Sequence, residues 1–313
     1  MSADTRSTAV ASPRARRGGW LPTTVDRRVR VFAWLSFLAE TIIIGTGGAV
    51  RLTGSGLGCD QWPLCTPGSL VPTPELGVHG LIEFGNRTMT SVVGILALIV
   101  LVLVWRMRSS RRDLFVLACV VLGGIVAQAI VGGVTVWTGL NPFLVGFHYV
   151  ASLTLVCVTA AFLVRAYSAP GPRELAVPRW YMILTHITTL ALALTIFFGV
   201  LTTGSGPHSG DADVIRQGFD ATILAHVHSW PGYTLLALVV VLLASSWALR
   251  LPTRRWMTAL LGAIVVQIVV GIVQARNGLP APLVGIHMVL AALSAAAFTV
   301  VVLRMKRPRV DAR

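Results

Sequence analysis

The sequence predicts an all-α integral membrane protein whose eight transmembrane helices form two four-helix bundles in parallel repeat. Three observations carry that expectation. Hydrophobic residues make up 55% of the 313-residue chain and charged residues only 12%, a balance foreign to a water-soluble domain. The apolar residues fall into eight runs, each close to the roughly 20 residues a helix needs to cross a bilayer. One stretch also occurs twice: LGGIVAQAIVGGVTVWTGLNPFLVGFH at Leu122–His148 returns as LGAIVVQIVVGIVQARNGLPAPLVGIH at Leu261–His287. Gln128 and Gln267, Gly132 and Gly271, Gly139 and Gly278, Gly146 and Gly285, and His148 and His287 match at one offset of 139 residues. Such self-similarity marks a duplicated unit.

The first span, Val31–Val50, follows an Arg-rich segment, residues 1–30. It is long and lacks a small-residue cleavage site, so it reads as a retained span rather than a signal peptide. Its end, RLTGSG at Arg51–Gly56, is echoed by LTTGSG at Leu201–Gly206, which extends the repeat to spans one and five. The loop Thr53–Glu75 carries Cys59 and Cys65, and span two, Gly77–Trp105, opens with polar residues. Span three, Leu114–Trp137, and span four, Leu144–Val164, are joined by a turn containing Pro142. A Pro-rich linker, residues 166–179, then separates the first half (31–165) from the second (180–303). Spans five to eight are Trp180–Thr203, Ile223–Leu249, Trp256–Ala275 and Leu283–Leu303, followed by a basic tail, 304–313. Each half has an even number of spans, so both enter the membrane from one side, as a parallel rather than an inverted repeat.

The net charge of +14 belongs to topology. Of 26 Lys and Arg residues, 22 lie before span one, after span eight, or in the loops on that same side. Only Arg51, Arg87, Arg216 and Arg276 fall elsewhere. The positive-inside rule places both termini in the cytoplasm of a cell-membrane protein, and the distribution argues against a nucleic-acid partner. Cys119 and Cys157 sit mid-span and read as small buried apolar residues. Cys59 and Cys65, six residues apart in the first outer loop, can close that loop as a structural disulfide, act as a redox pair, or contribute to a metal site.

Polar residues inside the spans are the candidates for chemistry, because each is costly there. His79, Glu83, Asn86 and Arg87 follow at i, i+4, i+7 and i+8, one face of helix two. The face reads either as a Glu83–Arg87 ion pair with solvated neighbours or as the wall of a polar site with a proton-moving carboxylate. His228 in span six and His287 in span eight lie at similar depth on different helices, which suits axial ligation of a heme iron between them. A hydrogen-bonded core histidine is the competing reading. In the first half, His148 matches His287, but the position equivalent to His228 holds Asn86, a poor iron ligand. One axial position would then stay open, and His79, about 10 Å higher at 1.5 Å per residue, is a poor substitute. Gln128 and Gln267 are expected to hydrogen-bond across helices. Glu40, His186, His208 and His226 have no assigned role.

At these residues the chain resembles the heme A synthase family. The resemblance rests on GGAVRLTGSGLGCDQWPLC (Gly47–Cys65), EFGNR (Glu83–Arg87), the HVHSW segment (His226–Trp230) and the paired GLNPFLVGFH and GLPAPLVGIH. It implies an eight-helix oxidoreductase that converts a methyl group of heme O to the formyl group of heme A for cytochrome oxidase. It further implies heme b as cofactor, ligated by His228 and His287, and a substrate heme in the first half held by His148, with Arg87 and Asn86 nearby. Glu83 would assist the chemistry as catalytic residue, and Cys59–Cys65 would form the outer disulfide. The implied partners are heme O as substrate, a heme O synthase upstream, an unidentified electron donor and cytochrome oxidase assembly as recipient; self-association is left open. The chain departs from the family pattern where Asn86 replaces a histidine and Ser229 an arginine, and its second outer loop lacks a cysteine pair. The alternatives to an enzyme are a duplicated membrane cytochrome b that carries electrons and a heme transporter.

Overall fold

The computed structural model describes residues 21–207 and 218–309. Among the described residues, eight helices are long and apolar enough to cross a membrane. They are α1 (Arg27–Leu52), α2 (Gly77–Val104), α3 (Arg112–Trp137), α4 (Pro142–Ala166), α5 (Arg179–Ser205), α6 (Ala221–Ala248), α7 (Arg254–Arg276) and α8 (Ala281–Arg304). Most run a few residues past the apolar runs that mark them, because caps and interfacial polar residues continue the backbone ladder after hydrophobicity stops. Asp26 caps α1 by accepting the Val29 N–H, Asn141 caps α4 with Pro142 at its first position, and Asp220 caps α6.

The ends of α3 and α7 share one backbone geometry. α3 ends where the Leu140 N–H reaches the Thr135 carbonyl at 2.7 Å, and α7 ends where the Leu279 N–H reaches the Gln274 carbonyl at 2.8 Å. Gly139–Leu140 and Gly278–Leu279 adopt positive φ in both copies. That left-handed cap turns each chain sharply into the next helix.

Helices α1, α4 and α8 form the centre, each packed on the other two. Small residues permit this approach. Gly45 and Gly48 of α1 face Val289 and Met288 of α8, and Gly285 of α8 faces Leu52. Ile44, Leu153, Val156, Ala160, Ala292 and Ala296 form the apolar seam between the halves. The Tyr149 hydroxyl crosses it to donate to the Met288 carbonyl at 2.9 Å. The halves then differ. α1 packs along both α2 and α4, whereas the equivalent α5 packs along α6 but stands away from α8. The second half is opened between its helices and the first is closed.

Two features depart from the sequence reading. The linker and the basic tail pair as a two-stranded antiparallel ribbon, β1 (Arg173–Leu175) with β2 (Lys306–Pro308), fastened by the Arg307–Glu174 ion pair at 2.8 Å. Three-residue strands carry too little alternation to be read from sequence. Cys119 is exposed and Cys157 half-buried, so Cys119 is not a core residue. α3 is apolar on all sides, and its hydropathy does not distinguish a lipid-facing side from a packed one.

Candidate functional site

The opening left by α5 is a cavity lined by all four second-half helices, with about 990 Å³ of space free of protein atoms counted to its mouth. His228 of α6 and His287 of α8 face each other across it, ring centroids 6.3 Å apart and planes at 77°. The gap admits one metal ion with a bond of about 2 Å to each imidazole. His228 Nδ1 lies 2.8 Å from the Thr195 carbonyl of α5. Because a carbonyl only accepts, Nδ1 carries the hydrogen and Nε2 keeps its lone pair, the arrangement of a metal-binding histidine.

Both rings lie against glycines. A Cβ on Gly199 would come within 2.9 Å of His228 Cε1, and one on Gly271 within 3.2 Å of His287 Cε1. The Gln267 side-chain amide donates to the His287 carbonyl at 3.0 Å, fixing the turn of α8 that carries His287. Buried polar atoms without a hydrogen-bond partner collect here: His287 Nδ1, Gln267 Oε1, Gln274 Oε1 and Ser294 Oγ all belong to residues lining the cavity. No cluster of three or more His, Cys, Asp or Glu with metal-site geometry occurs among the described residues. Two histidines alone do not complete a zinc-type site. They do complete the coordination of an iron whose in-plane positions are filled by a macrocycle.

The first half repeats part of this. Gln128 donates to the His148 carbonyl at 2.7 Å, the counterpart of Gln267 and His287. Gly132 lies against the His148 ring as Gly271 lies against His287. Asn86 accepts a 2.8 Å hydrogen bond from Thr46 of α1 through Oδ1, so its side chain is turned to that helix.

The polar stripe of α2 is divided among several partners. Glu83 accepts the Cys59 N–H at 2.6 Å through one oxygen and the Arg87 guanidinium through the other. Arg87 also donates to the carbonyls of Cys59, Gln61 and Leu64, at 2.7, 2.8 and 2.7 Å. The i,i+4 ion pair read from the sequence is present, and it also grips the outer loop. Cys59 and Cys65 are joined in a disulfide, which settles the pairing. The loop settles on α3, where Trp62 sits over Gly133 and meets Trp137 edge-on at 5.2 Å. His79 is exposed, with Nδ1 2.9 Å from Ser55 Oγ. His186 and His226 are exposed on α5 and α6, and His208 lies outside the described residues. Glu40 is buried in α1.

Sequence reasoning missed Thr195 and Gly199, which fix the His228 ring through a main-chain carbonyl and a missing side chain. Neither role has a signature in residue type. Gly132 and Gly271 were visible as repeat matches, but their contact with the rings was not.

A family model described as cytochrome oxidase assembly protein, COX15-CtaA, matches residues 30–299. A heme A synthase of Listeria welshimeri serovar 6b is 29% identical over 136 residues, 43% of this chain and 44% of that protein. One from Lysinibacillus sphaericus is 36% identical over 132 residues, 41% of each chain. One from Staphylococcus saprophyticus is 30% identical over 180 residues, 54% of this chain and 57% of that protein. The chain thus spans about half the length of the curated relatives it matches.

Proposed function

Because the chain belongs to the COX15-CtaA family of cytochrome oxidase assembly proteins, we propose that it is a heme A synthase, a multi-pass membrane oxidoreductase. It oxidises a methyl group of heme O to the formyl group of heme A. The observation that carries the reading is the His228–His287 pair, ring centroids 6.3 Å apart across a cavity with orphaned polar atoms, and with no cluster of three His, Cys, Asp or Glu among the described residues. These residues fit heme b, and His228 and His287 would hold its iron. When bound, heme b supplies a one-electron relay. The protein's part is to hold the rings: Thr195 sets the His228 tautomer, and Gln267 fixes the backbone under His287.

The first half receives the substrate. His148 is the residue offered to the heme O iron, supported by its repeat position against Gly132 and under Gln128. Asn86, turned to Thr46, contributes no second imidazole. Glu83 takes up and releases protons as the methyl group is oxidised, and Arg87 balances its charge. Their hold on Cys59 and Leu64 couples that carboxylate to the disulfide loop. His79 stands at the entrance beside Ser55. Residues 31–165 and 180–303 act as substrate and heme b halves, joined by 166–179. The bias of basic residues to one side supports a cytoplasmic position for both termini. A heme O synthase supplies the substrate, an electron partner serves the reaction, and cytochrome oxidase assembly takes the product.

The test is chromatography of hemes extracted from membranes of a heme-O-producing host, with and without this chain. Heme A is expected only with the chain. Untouched heme O beside a folded, heme-loaded protein would favour the electron-carrier reading instead.

A further inference from the structure

The second-half cavity is not built by the second half alone. Arg51, in the last turn of α1, lines it. The lining sorts by depth. Arg51, Thr202, Thr203 and Gln274 lie within about a turn of their helix ends, at the side of the bundle opposite the termini. His228 and His287 lie about 10 Å in along their helices at 1.5 Å per residue. Leu192, Leu235 and Ile264 lie deeper still, on α5, α6 and α7. The space therefore has a cationic and amide-lined mouth, two facing imidazoles in its middle and an apolar floor.

A group filling it is a flat amphiphile with a metal at its centre, an apolar edge and an anionic edge. A porphyrin bearing two carboxylates answers that description. Arginine meets a carboxylate with two parallel N–H donors, and the side-chain NH2 of Gln274, which lines the same cavity, is a further donor for a carboxylate oxygen. The anchor is confined to one half. Aligning RLTGSG with LTTGSG puts Leu201 at the position of Arg51, and the offset of 139 puts Thr135 at that of Gln274.

We propose that Arg51, reaching across from the first half, anchors the porphyrin carboxylates in the second-half cavity, with Gln274 beside it. This rests on the reading of His228 and His287 as heme ligands. It makes Arg51 a positioning residue and sets the heme with its carboxylates toward the loop end. A leucine at the repeated position leaves the first half without that anchor, so the halves distinguish a tightly retained cofactor from a substrate that must leave.

The test uses the full chain, produced in a heme-deficient host and supplied with hemin or with hemin dimethyl ester, which lacks free carboxylates. Release of the low-spin heme to excess apomyoglobin is followed by absorbance. Arg51→Leu is expected to release hemin about ten- to a hundredfold faster than the wild type, the worth of hydrogen bonds to a charged group. Arg51→Lys should fall between. With the dimethyl ester, wild type and Arg51→Leu should release at the same rate. Equal hemin release from both proteins overturns the proposal. So does an equal acceleration of ester release by Arg51→Leu, which would mark general damage to the fold. If His228→Ala and His287→Ala keep the low-spin heme, the ligand assignment itself falls, an outcome read without any Arg51 variant.

Discussion

Gly199 is the position where adding one carbon does most to the proposed heme b site. A Cβ there would lie 2.9 Å from His228 Cε1 and 3.2 Å from Nδ1. Carbon–carbon contacts settle at about 3.5–4.0 Å, so the ring has to retreat by about 0.6 Å or more. Its Nδ1 is tethered to the Thr195 carbonyl at 2.8 Å on the same helix, so retreat stretches or breaks that bond. Metal ligands are held to within about 0.5 Å of their working positions, and losing a partner that orients a ligand costs about 10–100-fold in metal affinity. Gly199→Ala should therefore fold yet hold the second-half heme at least tenfold more weakly, about the lower limit of that range. The comparison set is internal. Gly271→Ala places its Cβ 3.2 Å from His287 Cε1, and Gly132→Ala places one 3.4 Å from His148 Cε1 in the other half. All three gain the same helix propensity, about 1 kcal/mol, so their ranking reports the clash alone. Heme-to-protein ratio, the Soret spectrum and the temperature of heme release should rank Gly199→Ala as most damaged, Gly271→Ala as mildly affected and Gly132→Ala as wild type for the second-half heme. Equal heme retention in all three would refute the reasoning.

Three further outcomes are expected. Arg87→Ala should free the loop holding Cys59 and Cys65, seen as faster proteolysis near Gln61. Arg87→Lys should not restore it, because an ammonium cannot reproduce the fork that spans Glu83 and three carbonyls. Gln267→Leu should lower thermal stability by about 0.6–1.7 kcal/mol, the range for hydrogen bonds between membrane helices, and broaden the His287 heme spectrum; an unchanged spectrum would deny Gln267 its orienting role. Burial opposes the charge of Asp26, but the Val29 N–H and Arg28 outweigh it and hold its carboxyl below the ordinary range. The stabilisation is complete above that range and is lost as pH falls through the lowered value. The neutral-pH gap between wild type and Asp26→Ala, about 1 kcal/mol for a helix cap, should close in acid, whereas Asp26→Asn should keep its cap throughout.

Hydropathy located the eight long helices among the described residues because the bilayer makes hydrophobicity alone decisive over each span. It did not find the β1–β2 ribbon, whose strands are too short for a pattern, nor the exposure of Cys119, since lipid and protein interior look alike to an apolar side chain. The histidines were legible as polar atoms in apolar runs. The stripe of His79, Glu83, Asn86 and Arg87 was legible as one face, but what that face touches depends on a loop folded back over α2 and α3. The cavity itself was not legible: it exists because α5 stands away from α8, a matter of packing that no local motif encodes. Arg51 stood out only as a charge on the wrong side of a topology rule.

The Tyr149 hydroxyl bonded to the Met288 carbonyl joins two residues separated by the repeat length itself, 139 positions. They occupy matching positions in the two sequence copies and meet at the seam between α4 and α8. Two identical subunits would have to bring the same side chain to that point twice, and two tyrosines would compete for one place. A fused chain escapes the constraint. It can set a donor on one side and a flexible thioether on the other, and from that contact outward each copy is free to specialise.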